Sequence, residues 1–150
     1  MSCESFQDVP MPVAVVDVHK PNGDFALSDK KILVDTGATI NITSTAIASM
    51  FGEHIETLEK GVRIKVANGT VHVAKKAVTL RLHIGGVLTE PLVFRILDGL
   101  PYDFLLGTAT MKTWKTKMDW ETQSMSFETK TKAKGAIQWS THTGRHWRAH

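Results

Sequence analysis

One stretch of this 150-residue chain joins a chemically useful group to the means of activating it: Ile32-Leu33-Val34-Asp35-Thr36-Gly37-Ala38. Three apolar residues lead straight into a carboxylate, so the aspartate stands at the end of a buried strand. Burial disfavours the ionised form of a lone carboxylate, and a chain that buries one must supply hydrogen bonds to it. Thr36 carries a hydroxyl that can donate, and Gly37 lets backbone amides approach. A carboxylate held in this way suits general acid–base chemistry. Asp-Thr-Gly is also an acceptable turn, since all three residues favour turns. The triplet leaves both readings open; the apolar run before it and Ala38 after it favour a site. No other Asp repeats the pattern: Asp98-Gly99 lacks the threonine, Asp103 precedes an apolar run, and Asp119 precedes Trp120.

Such a loop needs strands to hold it, and the surrounding periodicity is mostly that of strands. Val13 to Val18 is apolar and β-branched, Pro21-Asn22-Gly23-Asp24 turns the chain, and Phe25–Leu27 and Lys31–Val34 return it. Ser44 to Phe51 predicts a short helix, capped by Thr43 or Ser44 and closed by Gly52. Val62–Val66 and Val71–Ala74 alternate on either side of Asn68-Gly69, a second hairpin. Ala77–Ile84, a Gly85-Gly86 turn and Leu92–Leu97 continue the pattern. Phe104-Leu105-Leu106 is a buried run stopped by Gly107, after which Thr108 can cap a short helix through Trp114. Met118–Trp120 and Ser124–Phe127 give two last strands. Many short strands, tight turns and two short helices predict an all-β domain, closed or folded over.

Composition narrows the function. Hydrophobic residues make up 42%, which is incompatible with disorder throughout. Cys3 is the single cysteine, so neither a disulfide framework nor a cysteine-based zinc site can form within one chain. No run of about 18 apolar residues suggests a membrane span. MSCESFQDVP has no basic residue followed by an apolar stretch, so no secretory signal is read there. Of the 18 basic residues, five (Lys130, Lys132, Lys134, Arg145 and Arg148) lie in 129–150, which has no acid. Residues 1–128 thus hold 13 basic against 15 acidic residues, and charge gives no support to a nucleic-acid role for the main domain.

Leu33-Val34-Asp35-Thr36-Gly37-Ala38 resembles the signature of the retropepsins, the aspartic proteases of retroviruses and LTR retrotransposons. Phe104-Leu105-Leu106-Gly107-Thr108-Ala109-Thr110-Met111 resembles the family's second block, a buried strand ending in glycine and then a helix, at the family's spacing. Met118-Asp119-Trp120 and Ser124–Phe127 resemble the closing strands, particularly those of gypsy-class elements. The resemblance covers residues 12–128 and implies the acid-protease fold: a closed, mainly β domain with one or two short helices, working as a homodimer. It further implies an aspartic endopeptidase that needs no cofactor or metal, hydrolyses polypeptide, and processes a gag-pol polyprotein in the cytoplasm, including inside virus-like particles. Asp35 would be catalytic, with Thr36, Gly37 and Ala38 supporting it and Thr36 reaching the partner's loop. Leu33, Leu105, Leu106 and Gly107 would form the floor of the site. Val66, Ala67, Asn68, Gly69 and Thr70 would form the flap over the substrate, although its single glycine is fewer than family flaps often have. A domesticated or cellular retropepsin-like domain that binds, dimerises or regulates is the alternative, but a binding module has no need of a buried carboxylate.

The ends carry weaker signals. Residues 1–11 read as a leader and 129–150 as a basic tail or linker. His142, His146 and His150 would share one face of a helix, but Gly144 opposes a helix, and incidental histidines are the simpler reading. His72 and His83 read as exposed strand residues, and Trp114 and Trp120 as core or core-edge residues.

Overall fold

A computed structural model describes residues 10–65 and 69–143. β1 (Pro10–His19) and β2 (Phe25–Val34) form the first hairpin. Its turn is built as the sequence suggests. Asn22 Oδ1 accepts from the Asp24 amide at 2.9 Å, and Gly23 takes φ +99°, which costs glycine little. There follow β3 (Ile42–Thr43), α1 (Thr45–Ala48), a 3-10 segment (Ser49–His54), β4 (Ile55–Lys65) and β5 (Val71–Ile84). Gly85 and Gly86, both at positive φ, lead into β6 (Val87–Leu88), and β7 (Leu92–Ile96) and β8 (Phe104–Leu106) come next. α2 (Thr108–Thr113), β9 (Lys117–Asp119), β10 (Ser124–Glu128), β11 (Lys134–Gln138) and β12 (Ser140–Thr143) complete the order.

Among the described residues, the main sheet runs β12-β1-β2-β8-β3-β7-β5-β4. The far end of β1 also pairs with β5, through Asp17↔His83, Val18↔Leu82 and His19↔Arg81. That second pairing returns the sheet to its start and closes it, as expected for a closed β domain. β9, β10 and β11 form a smaller antiparallel sheet.

The fully apolar runs at β2 and β8 have one physical cause. Side chains on a strand alternate between faces, so a contiguous apolar run is needed where both faces are covered. Ile32 and Val34, with Phe104 and Leu106, face the large core, which also takes in Leu80, Leu82, Phe94, Trp114 and Met125. Leu33 and Leu105 face a second, smaller core with Val13, Ile42, Ile64 and Ala74. β2 and β8 lie side by side and parallel, Leu33 opposite Leu105.

Several expectations need correction. Ser44 does cap α1, its Oγ accepting from the Ile47 amide, but the helix lasts four residues. It passes into the 3-10 segment, bent at Phe51 (φ −127°, ψ 43°), whose side chain is buried. Gly52 lies inside that segment and does not close a helix. Thr108 is the first residue of α2, not its cap; Gly107 occupies the cap position without a side-chain bond. Trp120 is exposed and meets Trp139 edge-on, at 5.2 Å between ring centroids.

The largest difference concerns the two ends. Pro10 and Met11 belong to β1, and residues 1–9 lie outside the described residues. At the other end, 134–143 is no tail: β11 pairs with β10, and β12 pairs with β1. The inward positions here are Gly135, Ile137 and Trp139, and a glycine registers as no hydrophobic signal. Gly135 is nevertheless where side-chain bulk is excluded, since a Cβ there would come within 2.5 Å of the Phe127 ring. His142 sits in strand β12 rather than a helix, and His146 and His150 lie outside the described residues.

Candidate active site

Asp35 leaves the end of β2 at a point fixed from the neighbouring strand: its amide donates to the Leu106 carbonyl of β8 at 3.0 Å. The chain then turns tightly, with the Ala38 amide donating to the Asp35 carbonyl. Asp35 is 9% exposed, and its carboxylate Oδ1 accepts from the Gly37 amide at 2.8 Å. A Cβ on Gly37 would stand 3.2 Å from that same oxygen, so glycine gives the carboxylate room. Burial raises the pKa of Asp35 above the ordinary carboxylate value of 3.8, and the Gly37 and Ala38 amides offset part of that rise. The donors to the carboxylate are thus backbone amides and not the Thr36 hydroxyl expected from the sequence. Thr36 is exposed at the tip of the loop.

The loop is clamped from a second direction. Thr108 and Ala109, at the start of α2, donate their amides to the carbonyls of Ala38 (2.8 Å) and Thr39 (3.0 Å). Gly107 makes this approach possible, since a Cβ there would lie 2.6 Å from the Ile40 carbonyl carbon and oxygen. Asn41 completes the clamp and was not picked out from the sequence. It is buried; its Oδ1 accepts from the Gly107 amide at 2.9 Å, and its Nδ2 donates to Thr110 Oγ1 at 2.8 Å. The one available signal was a polar residue between two isoleucines, Ile40 and Ile42.

Beside Asp35 opens a cleft of about 650 Å³. One wall is the loop after Asp35, the floor includes Ile42 and Leu105, and the other wall is β4 from Val62 to Lys65. Of the residues expected in the floor, Leu105 lines the cleft. Leu33 lies beside it in the smaller core, Leu106 faces the large core, and Gly107 acts through the clamp. Of the expected flap, Val66, Ala67 and Asn68 lie outside the described residues. Gly69 has φ +87°, and Thr70 leads into β5.

Among the described residues, Asp35 is the single carboxylate that lines the cleft. The other aspartates considered have structural partners. Asp98 accepts from the Thr45 amide, Asp103 from the Lys31 amide, and Asp119 from the amides of Glu121 and Thr122. One chain therefore supplies a buried, hydrogen-bonded carboxylate at the edge of an apolar cleft, which can serve as an acid or base on a bound molecule. It does not by itself supply a pair.

Residues 25–113 match the model of the family described as "gag-polyprotein putative aspartyl protease". No curated protein matches the chain. Among solved structures, the retroviral protease-like domain of Ddi1 from Leishmania major is similar in fold at 16% identity. The match covers 87% of this chain and 94% of that one, with a TM-score of 0.57. A retropepsin-like aspartic protease from Rickettsia conorii matches at 19% identity over 74% of this chain and 90% of its own, with a TM-score of 0.41. Because the matched residues make up more than half of its length, the chain belongs to this family of gag-polyprotein aspartyl proteases and is retropepsin-like.

Proposed function

We propose that two copies of this chain form a symmetric dimer in which the two Asp35 side chains meet and hydrolyse peptide bonds. The observation that carries this reading is the buried Asp35, its carboxylate held by a backbone amide beside a cleft that, among the described residues, offers no second carboxylate. Acid–base hydrolysis by the pepsin-type route needs two carboxylates side by side, and a two-fold axis through the loop supplies the other. Like charges at that distance cannot both ionise cheaply, so the pair holds one proton, and its two apparent acidity constants belong to the pair. The ionised carboxylate draws a proton from a water, and the water oxygen attacks the peptide carbonyl carbon. The protonated one donates to the carbonyl oxygen, and a proton passes to the leaving nitrogen as the C–N bond breaks.

In this reading the β4–β5 hairpin serves as the flap, closing over a peptide bound as an extended strand. The family's description favours a gag-derived polyprotein as the substrate. The test is cleavage of a mixed peptide library at about pH 5 to 7, with and without a pepstatin-type inhibitor, by the parent chain and by Asp35→Asn. Inhibitor-sensitive cleavage by the parent, lost in a variant with the parent's circular dichroism, is expected. Cleavage that survives the substitution would end the proposal.

A further inference from the structure

A second pocket, of about 310 Å³, lies where β7 meets α2 and the turn after β10. Val93 and Arg95 line it from β7. Leu92 and Phe94 belong to the large core, so strand alternation turns Val93 and Arg95 away from that core. The charged residues of the lining are Arg95, Lys130 and Glu90. Glu90 is engaged: its Oε2 accepts from Trp114 Nε1 at 2.8 Å, and its Oε1 from the Lys130 amide at 3.2 Å. Arg95 is half-buried and its Nε is enclosed without a partner. No other atom of its guanidinium bonds or pairs with a described residue, and neither does the Lys130 ammonium. Thr110 Oγ1 accepts from Asn41 Nδ2, and its own hydrogen has no acceptor among the described residues. An enclosed N–H left unpaired is costly, so a group from outside the chain is expected to meet it.

We propose that this pocket binds a small carboxylate, its oxygens on the Arg95 guanidinium and the Thr110 hydroxyl. A guanidinium fork matches the two oxygens of a carboxylate. Two cations against Glu90 leave one net positive charge, which suits a monoanion better than a phosphate dianion. Val93, Ile40 and Ala109 offer apolar surface to the rest of such a molecule. Binding here also reaches the Asp35 loop. Arg95 donates its amide to the Asn41 carbonyl at 2.9 Å, and Thr110 holds the Asn41 side chain, whose Oδ1 accepts from Gly107. A ligand gripped by Arg95 and Thr110 therefore steadies both neighbours of the residue that clamps Gly107. The site stands whether or not the chain is a peptidase.

The test is an NMR titration of the full chain with benzoate, with benzamide as an uncharged probe of the same shape. Benzoate should bind with a Kd on the order of 1 mM and shift the amide signals of Arg95 and Thr110. Benzamide and inorganic phosphate should each bind about tenfold more weakly. Arg95→Gln should weaken benzoate about tenfold, and Arg95→Lys, which keeps the charge but not the fork, by less. The melting temperatures of the two variants show that they fold, and either one alone carries the comparison. Lys112→Gln, which removes an exposed charge outside the pocket, should leave affinity unchanged. Saturating benzoate should slow hydrogen exchange of the Gly107 amide at least about twofold in the parent and leave it unchanged in Arg95→Gln. Equal binding of benzoate and benzamide, tighter binding of phosphate, or parent affinity in both Arg95 variants overturns the inference. So do shifts confined to Ile42 and Leu105, which would put the probe in the cleft, and the absence of binding, which would leave water as the partner of Arg95. Binding without slower exchange at Gly107 overturns the link to the loop.

Discussion

Replacing Gly107 with alanine tests how the site is held. The new Cβ would lie 2.6–2.7 Å from the backbone carbon, oxygen and nitrogen of Ile40, and backbone cannot rotate away as a side-chain end can. Gly107 is not at positive φ, so the cost comes from contact and not from strained dihedrals. Overpacking of this kind costs about 1–3 kcal/mol. The shift that relieves it must lengthen the clamp from Gly107, Thr108 and Ala109 to Asn41, Ala38 and Thr39, three bonds worth about 1 kcal/mol each. A loss of about 2–5 kcal/mol follows, on the order of a third of a typical domain's stability. Urea unfolding, read as a change in midpoint at constant slope, measures it. Cleavage should fall further than stability, since the clamped loop carries Asp35. Gly52→Ala is the control: nothing lies within 4 Å of its Cβ position, and a change within about 0.5 kcal/mol is expected. Equal effects at both glycines, or a Gly107 variant as stable as the parent, would refute the close-approach argument.

Two further outcomes follow from burial. Asp35 holds its proton more tightly in the folded chain than in the unfolded one, because burial outweighs its amide bonds. Between the ordinary value of 3.8 and the raised folded value, the unfolded chain ionises first, so this group's contribution to stability falls as pH rises through that window. Asp35→Asn should therefore melt above the parent at about pH 7, with the gap closing below pH 3.8; a constant gap, or the opposite sign, contradicts the assignment. Truncation after Glu128 should abolish cooperative unfolding, because it removes β11, β12 and the buried Trp139, whose side chain alone is worth about 3–5 kcal/mol. A sharp melt in the truncated chain would restore the tail reading of residues 129–143.

The elements legible from sequence are those whose cause is local. Asn22-Gly23 sets its own turn, and Ile32–Val34 and Phe104–Leu106 announce two-sided burial by composition alone. The carboxylate loop stood out because Asp35 breaks such a run. What escaped depends on contacts between distant segments. The cap of α2 is glycine because Ile40 leaves no room, which no propensity at Thr108 reveals. β11 was hidden because its inward position is Gly135, small to fit Phe127. Asn41 acts through partners 66 and 69 residues away.

The central claim is that Asp35 from two chains makes one site. Titrating Asp35→Asn into a fixed amount of parent chain tests it, since exchange of subunits dilutes parent homodimers into mixed ones. At equal amounts, random exchange among stable dimers leaves about half of the parent chains paired with one another, so activity should fall to about half. It should go on falling toward zero as the variant is added in excess. Activity that stays at its starting value after full subunit exchange would mean that one chain cuts alone, and would contradict the shared dyad.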